Sequence, residues 1–201
     1  MPVATLFELY DRVARQVPRC PRPVVLDALR DAWHRFCDEA EAYRKSIPIT
    51  LVDGKTGYLI NPGVEADVRR ISDAFWRTAE DVAAGAPGTK IPIKRIELFH
   101  QDGKPYAEIG LPSSGLGGTS GQLFLTCVLV PILYAEAEPS VPDDLLARYA
   151  DAIASRAVAD LSGQREEPYY SPQRQLTALT CYNHGKNQAR KQFAPTRGMF
   201  K

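Results

Sequence analysis

Val25, Leu29, Ala32 with Trp33, Phe36, Ala40 and Tyr43 recur at steps of three and four, with Asp27, Arg30, Asp31, Arg35, Asp38, Glu39 and Arg44 between them. That period predicts an amphipathic helix over about residues 23–45, with one broad apolar stripe and one solvated face. Pro18, Pro21 and Pro23 set a rigid approach, because proline fixes φ and suits the first helical turn. Pro48 disfavours helix at Ile47 and closes the segment. A short helix comes before it: Thr5-Leu6-Phe7-Glu8 reads as a capping box, Leu6, Leu9 with Tyr10 and Val13 as a stripe, and Pro18 as the stop. A third helix starts at Pro142, places Asp143 and Asp144 at the positive end of its dipole and ends at Gly163. Leu145 with Leu146, Tyr149, Ile153, Ala157 and Leu161 form its inner line, and its many alanines allow another helix to approach closely. The last helix starts at Ser171-Pro172 with Leu176, Leu179, Tyr182 and Phe193 inside; Gly185 weakens it by about 1 kcal/mol.

Between residues 46 and 135 the period changes. Ile47, Ile49 and Leu51 alternate, and Asp53-Gly54 turns the chain toward Tyr58-Leu59-Ile60, which predicts a hairpin. Val64, Val68, Ile71, Phe75, Ala79 and Val82 fit a helix, yet the segment 64–83 also reads as extended at first and helical or irregular later. Ile91, Ile93, Ile96 and Leu98, then Tyr106 and Ile109, flank Asp102-Gly103, a second hairpin. Residues 112–121 are a loop rich in serine and glycine, and Gln122–Leu133 is an almost continuous apolar strand, as in a central position. The fold class is therefore α+β. Helices from both chain ends (1–45 and 136–193) make a bundle, 46–135 an antiparallel β-rich subdomain, and 194–201 a C-terminal arm.

A chain of 201 residues can bury one substantial core. No apolar run approaches the roughly 20 residues of a membrane span, and the first residues lack a secretory pattern. Cys20, Cys37, Cys127 and Cys181 are scattered without a Cys-x-x-Cys pair, so they read as reduced thiols from a cytosol. Charge is distributed unevenly. From Pro168 onward there is no acidic residue against six basic ones, which leaves 19 basic and 24 acidic side chains before it. An acidic body with a basic end suggests that this end meets something negative, although a merely solvated tail has the same composition.

The wording of the first helices carries a resemblance. Cys20-Pro21, then Arg30-Asp31-Ala32 with Phe36-Cys37, then Gly57-Tyr58-Leu59-Ile60, and later Val141-Pro142-Asp143-Asp144-Leu145, stand in that order. The chain resembles the head-to-tail adaptor proteins of tailed bacteriophages, of the tail tubular protein A-like kind. The likeness spans roughly residues 6–60 and 120–195 and is weak over 64–120; Tyr169-Tyr170 departs from the family's Pro-Trp. It implies a strand around Val68–Trp76. It also implies a non-enzymatic virion protein, assembled in the host cytoplasm. Copies form a closed ring of about twelve in the neck between portal and tail, and continue the DNA channel without sequence-specific contacts. On that reading Lys186, Arg190, Lys191, Phe193, Arg197 and Phe200 dock on the portal, and the segment 186–201 is detachable. The loop with Ser113, Ser114, Leu116, Thr119 and Ser120 faces the tail and nozzle proteins.

Catalytic and cofactor chemistry is not apparent. Gly115-x-Gly117 leads to a strand rather than a helix, and Gly54-Lys55-Thr56 lacks the leading glycine of a phosphate loop. His34 and Cys37 lie one turn apart with Cys20 nearby, but no second ligand pair exists for zinc. His100 and His184 have no nucleophile beside them. No cofactor or metal is expected. Trp76, Phe99, Tyr106, Phe193 and Phe200 are candidate partner anchors, the alternative being that Phe99 and Tyr106 close the sheet's own core. The rival function is nucleic-acid binding through the basic last helix and arm; a small-molecule enzyme is the third.

Overall fold

The computed structural model describes residues 3–52, 55–63, 66–86, 88–110, 121–133 and 140–193. The chain is α+β with antiparallel strand pairing. It divides into two compact units, residues 1–43 with 131–201, and residues 44–130.

In the first unit, β1 (Val3–Thr5) pairs with β9 (Ser140–Pro142), which ties this strand to the start of the helix at Asp143. A 3-10 turn over Leu6–Leu9 leads into α1 (Tyr10–Ala14), and the Thr5 N–H donates to Glu8 Oε1 at 3.4 Å. Helix α2 (Arg22–Ala40) buries Val25, Leu29, Ala32, Trp33, Phe36, Cys37 and Ala40, the stripe read from its sequence. It ends five residues before the expected point. Glu41 takes the left-handed conformation (φ 52°) and its N–H donates to the Cys37 carbonyl at 3.0 Å. Strand β2 (Arg44–Ile49) takes in Ile47 and Ile49 as expected but begins at Arg44, where helix was expected, because its backbone pairs with a strand far along the chain. Tyr43, placed by its period on the helix, reaches the same core from beyond it, with its ring 6.0 Å from Trp33.

Helices α4 (Asp143–Ser162) and α5 (Pro172–Phe193) complete this unit. Phe36 is the aromatic centre of the packing, 5.2 Å from the ring of Tyr149 on α4 and 6.5 Å from that of Tyr182 on α5. Trp33, Phe36 and Tyr182 are essentially solvent-free, and such burial contributes about 1.5–3 kcal/mol per large apolar side chain. On α5 the buried line is Ala178, Tyr182, Gly185 and Ala189. Leu176, expected inside, is 67% exposed. It lies two residues before Ala178, on the opposite side of a helix of 3.6 residues per turn. The small residues, not the leucine, mark the buried side, since only they let the backbones of α4 and α5 come together.

In the second unit a four-stranded sheet has the order β2, β8 (Gly121–Pro131), β4 (Ala66–Thr78), β5 (Thr89–Lys90). The apolar β8 is central as expected, with Leu123, Leu125, Cys127, Val128 and Leu129 solvent-free. Pro48 is tolerated in β2 because β2 is an edge strand. The segment that also fitted a helix is the long strand β4, continuing into the one-and-a-half-turn α3 (Ala79–Ala84). Thr78 and Asp81 exchange capping bonds there, at 2.9 and 3.1 Å. A three-stranded sheet has the order β3 (Gly57–Leu59), β7 (Lys104–Ile109), β6 (Ile96–Gln101). The hairpin at Asp102-Gly103 forms as expected, with both residues at positive φ (51° and 70°). The hairpin expected between 47 and 60 does not form: β2 pairs with β8 and β3 with β7. The Tyr58 hydroxyl closes the connection instead, accepting from the Val52 N–H at 2.9 Å and lying within 3.1 Å of the Val52 and Lys55 carbonyls. Asp53 and Gly54 lie outside the described residues.

A methyl group at Gly185 would stand 2.5 Å from the Ala152 Cβ. On an open helix Gly185→Ala would add about 1 kcal/mol of stability; here overpacking costs about 1–3 kcal/mol. Denaturant titration is expected to show a net loss for Gly185→Ala. Combined with Ala152→Gly, it should be more stable than the sum of the two single changes requires.

Candidate docking site

The last turns of α5 were expected to belong to a detachable basic arm, and the structure corrects this for residues 186–193. Ala189 is buried, and α5 runs unbroken to Phe193, which packs half-buried against the helical core. Lys186 Nζ lies 2.7 Å from the Glu39 carboxylate on α2. Arg190 Nε donates to the Glu39 carbonyl at 2.6 Å. That carbonyl is among the last four of α2, which have no acceptor role inside their own helix, so Arg190 satisfies an orphan group at a helix end. Both cations therefore act inside the fold. Lys191 is exposed, and Arg197 and Phe200 lie outside the described residues.

The same junction holds Tyr182 between two cations. Lys186 Nζ is 5.1 Å from its ring centroid and the Arg156 guanidinium 5.3 Å, geometry that favours cation–π attraction. Arg156 is itself held by a two-bond pair with Asp160, at 2.9 and 3.0 Å. Burial, followed by the negative charge of Glu39, pushes the Tyr182 hydroxyl well up, so it stays protonated. For Glu39, burial alone would raise the pKa; the hydrogen bond and charge of Lys186 outweigh it and hold the carboxyl below its ordinary 4.5. Sequence reasoning placed Lys186 and Arg190 on a basic end but gave no sign of Glu39 as their partner, since 147 and 151 residues separate them.

Ser113, Ser114, Leu116, Thr119 and Ser120, expected to face a tail, lie outside the described residues, as do Gly115 and Gly117. Lys55 of the incomplete phosphate-loop motif has its Nζ over the Tyr58 ring at 5.3 Å. Cys37 is buried, which raises its thiol far above the ordinary value, and His34 is half-buried. No group of three metal-ligating side chains occurs among the described residues. His100 lies 3.2 Å from Asp67, and His184 Nε2 is 3.0 Å from Gln188 Nε2. Of the aromatic candidates, Trp76 covers the start of β8, where a Cβ on Gly121 would come 2.5 Å from its ring. Phe99 and Tyr106 stack at 5.5 Å, with Phe99 36% exposed.

Two open grooves flank α4, features no sequence pattern announced. One, of about 670 Å³, is lined by Glu8, Leu9, Arg12, Asp143, Arg148 and Asp151 among others. The other, of about 720 Å³, has Arg12, Arg15, Arg174, Asp151, Ser155 and Thr177 in its walls. The Arg12–Asp151 pair at 2.5 Å belongs to both. No helix is long and apolar enough to cross a membrane among the described residues. The chain matches no family model and no curated protein.

Glu39 contributes stability that is present above 4.5 and lost as the pH falls through its lower folded value. The stability difference between the wild-type chain and Glu39→Gln, from denaturant titrations at a series of acidic pH values, is expected to shrink as the pH falls through that window. A difference independent of pH would mean that the carboxylate carries no charge-dependent share of the junction.

Proposed function

We propose that the chain is a structural adaptor of the tailed-phage neck. Copies close into a ring of about twelve beneath the portal, continue the DNA channel toward the tail, and transform no substrate. On this reading the helices from both chain ends form a bundle into which the β-rich unit is inserted. The supporting observation is the mounting of the basic end. From Pro168 onward the chain has no acidic residue, and the helix carrying this segment is pinned at its last turns by Lys186 and Arg190 to Glu39. A rigid base with a short basic extension suits a joint to a negative surface on a stacked assembly. Repetition around a ring turns a weak contact into a durable one. The wording shared with head-to-tail adaptors adds the same direction. Within this proposal Lys191, Arg197 and Phe200 meet the portal, while Lys186, Arg190 and Phe193 fix the direction from which the extension leaves.

A nucleic-acid-binding role draws on the same acid-free helix, one exposed line of which carries Thr177, Thr180, Asn183, Asn187 and Lys191. Such amides, hydroxyls and a single cation give little phosphate grip, which suits a channel wall along which DNA slides better than a site that retains it.

Removal of residues 194–201 tests the joint without cutting α5. The shortened chain is expected to keep the thermal midpoint of the full chain yet lose copurification with its cognate portal. Portal binding that survives the truncation would place the joint elsewhere. A gel shift of duplex DNA by the intact chain that weakens steeply with salt would favour the nucleic-acid role.

A further inference from the structure

The register of the three-stranded sheet places Leu59 opposite Tyr106 and Tyr106 opposite Phe99. Side chains alternate across a strand, so these three stand in one row on one face, while Tyr58 and Ala107 turn to the buried face. Leu59 is 51% and Phe99 36% exposed. The next row on the same face sets Glu97 directly opposite Glu108, both exposed. Like charges so paired destabilise a sheet by themselves, and they repel the phosphates of any nucleic acid whose bases would stack on the aromatic row. Counting the whole hairpin from Glu97 to Glu108, Glu97, Asp102 and Glu108 stand against Lys104. This face thus has an aromatic middle, an acidic row at one end and the Gln101–Lys104 pair at the other.

The groove of about 720 Å³ has the opposite character: Arg12, Arg15 and Arg174 against Asp151, with Ser155 and Thr177 as neutral donors. Guanidinium groups pair with carboxylates through two bonds and also stack on aromatic rings. Three arginines beside a small-residue wall therefore suit Tyr106 and Phe99 in the middle and Glu97 and Glu108 at the border. We propose that the β6–β7 face of one copy docks into the arginine groove of a second copy. The two patches are unlike and lie on different units of the chain, so the contact is head-to-tail. Contacts of that kind build a ring when the rotation closes. The inference rests on the ring reading for its closure, but the pairwise contact stands or falls on its own.

Two charge-reversed chains test it. Arg12→Glu with Arg15→Glu spoils only the groove; Glu97→Lys with Glu108→Lys spoils only the sheet face. Sedimentation velocity across the accessible concentration range should show self-association of the wild-type chain and at least about tenfold weaker association of each variant. Circular dichroism should show both variants folded. Mixed together, the two variants retain one intact groove and one intact sheet face, and their two reversed patches are again opposite in charge, so they should associate where neither does alone. Variants that associate as the wild type does, or a mixture that stays monomeric, would overturn this contact. So would a wild-type chain that never associates, or nucleic-acid retention lost in Phe99→Ala. Rings on portal in any of those cases would leave the adaptor reading intact with its contacts elsewhere, whereas a head-to-tail dimer without portal binding would retain the contact and refute the adaptor.

Discussion

The close approach of α4 and α5 at Ala152 and Gly185 is the constraint on which the helical unit depends. Only the Ala152 methyl separates the two backbones at that level, so Tyr182 is drawn onto Phe36 and Lys186 is drawn to Glu39. One turn later Arg190 reaches the Glu39 carbonyl at the end of α2. Three helices thus meet at a junction where an aromatic ring, two cations and one carboxylate satisfy one another. A larger residue at 185 would push α5 outward and lengthen every one of these contacts together.

Charge follows the same division. Three cations on α4 and α5 are held by partners within the fold: Arg156 by Asp160, and Lys186 and Arg190 by Glu39. Among the described residues, the exposed cations include Lys191 on α5 and Arg12 and Arg15 of the groove beside α1, Arg12 also pairing with Asp151. Carboxylates left for an external surface include the Glu97–Glu108 pair on the three-stranded sheet. A subunit with one basic and one acidic-aromatic patch, each on a different unit, has the asymmetry that repeated head-to-tail assembly requires.

Local patterns were legible in the sequence and distant ones were not. The stripe of α2, the alanine-rich inner line of α4 and the Asp102-Gly103 hairpin each depend on residues within one or two turns of one another, and each has the expected place. The end of α2 was missed because Glu41, with no glycine signal, adopts a left-handed conformation that the pairing of β2 with β8 demands. The hairpin at 47–60 was wrong for the same reason, since an apolar strand far along the chain outcompeted the near neighbour. Leu176 was misplaced because burial was judged by size, whereas the α4–α5 contact selects small residues. The clamp on Glu39 and the arginine groove join residues from three helices, and no spacing in one dimension encodes them. The basic character of the last segment was plain; which of its cations serve the fold and which remain for a partner required coordinates.

The central claim is that this chain works as a stacked ring. Negative-stain imaging of the full-length protein, alone and with its cognate portal, tests it most directly. The account expects closed annuli of uniform diameter seated coaxially on the portal. Portal particles with no added density, and a chain that remains in single copies beside them, would contradict it.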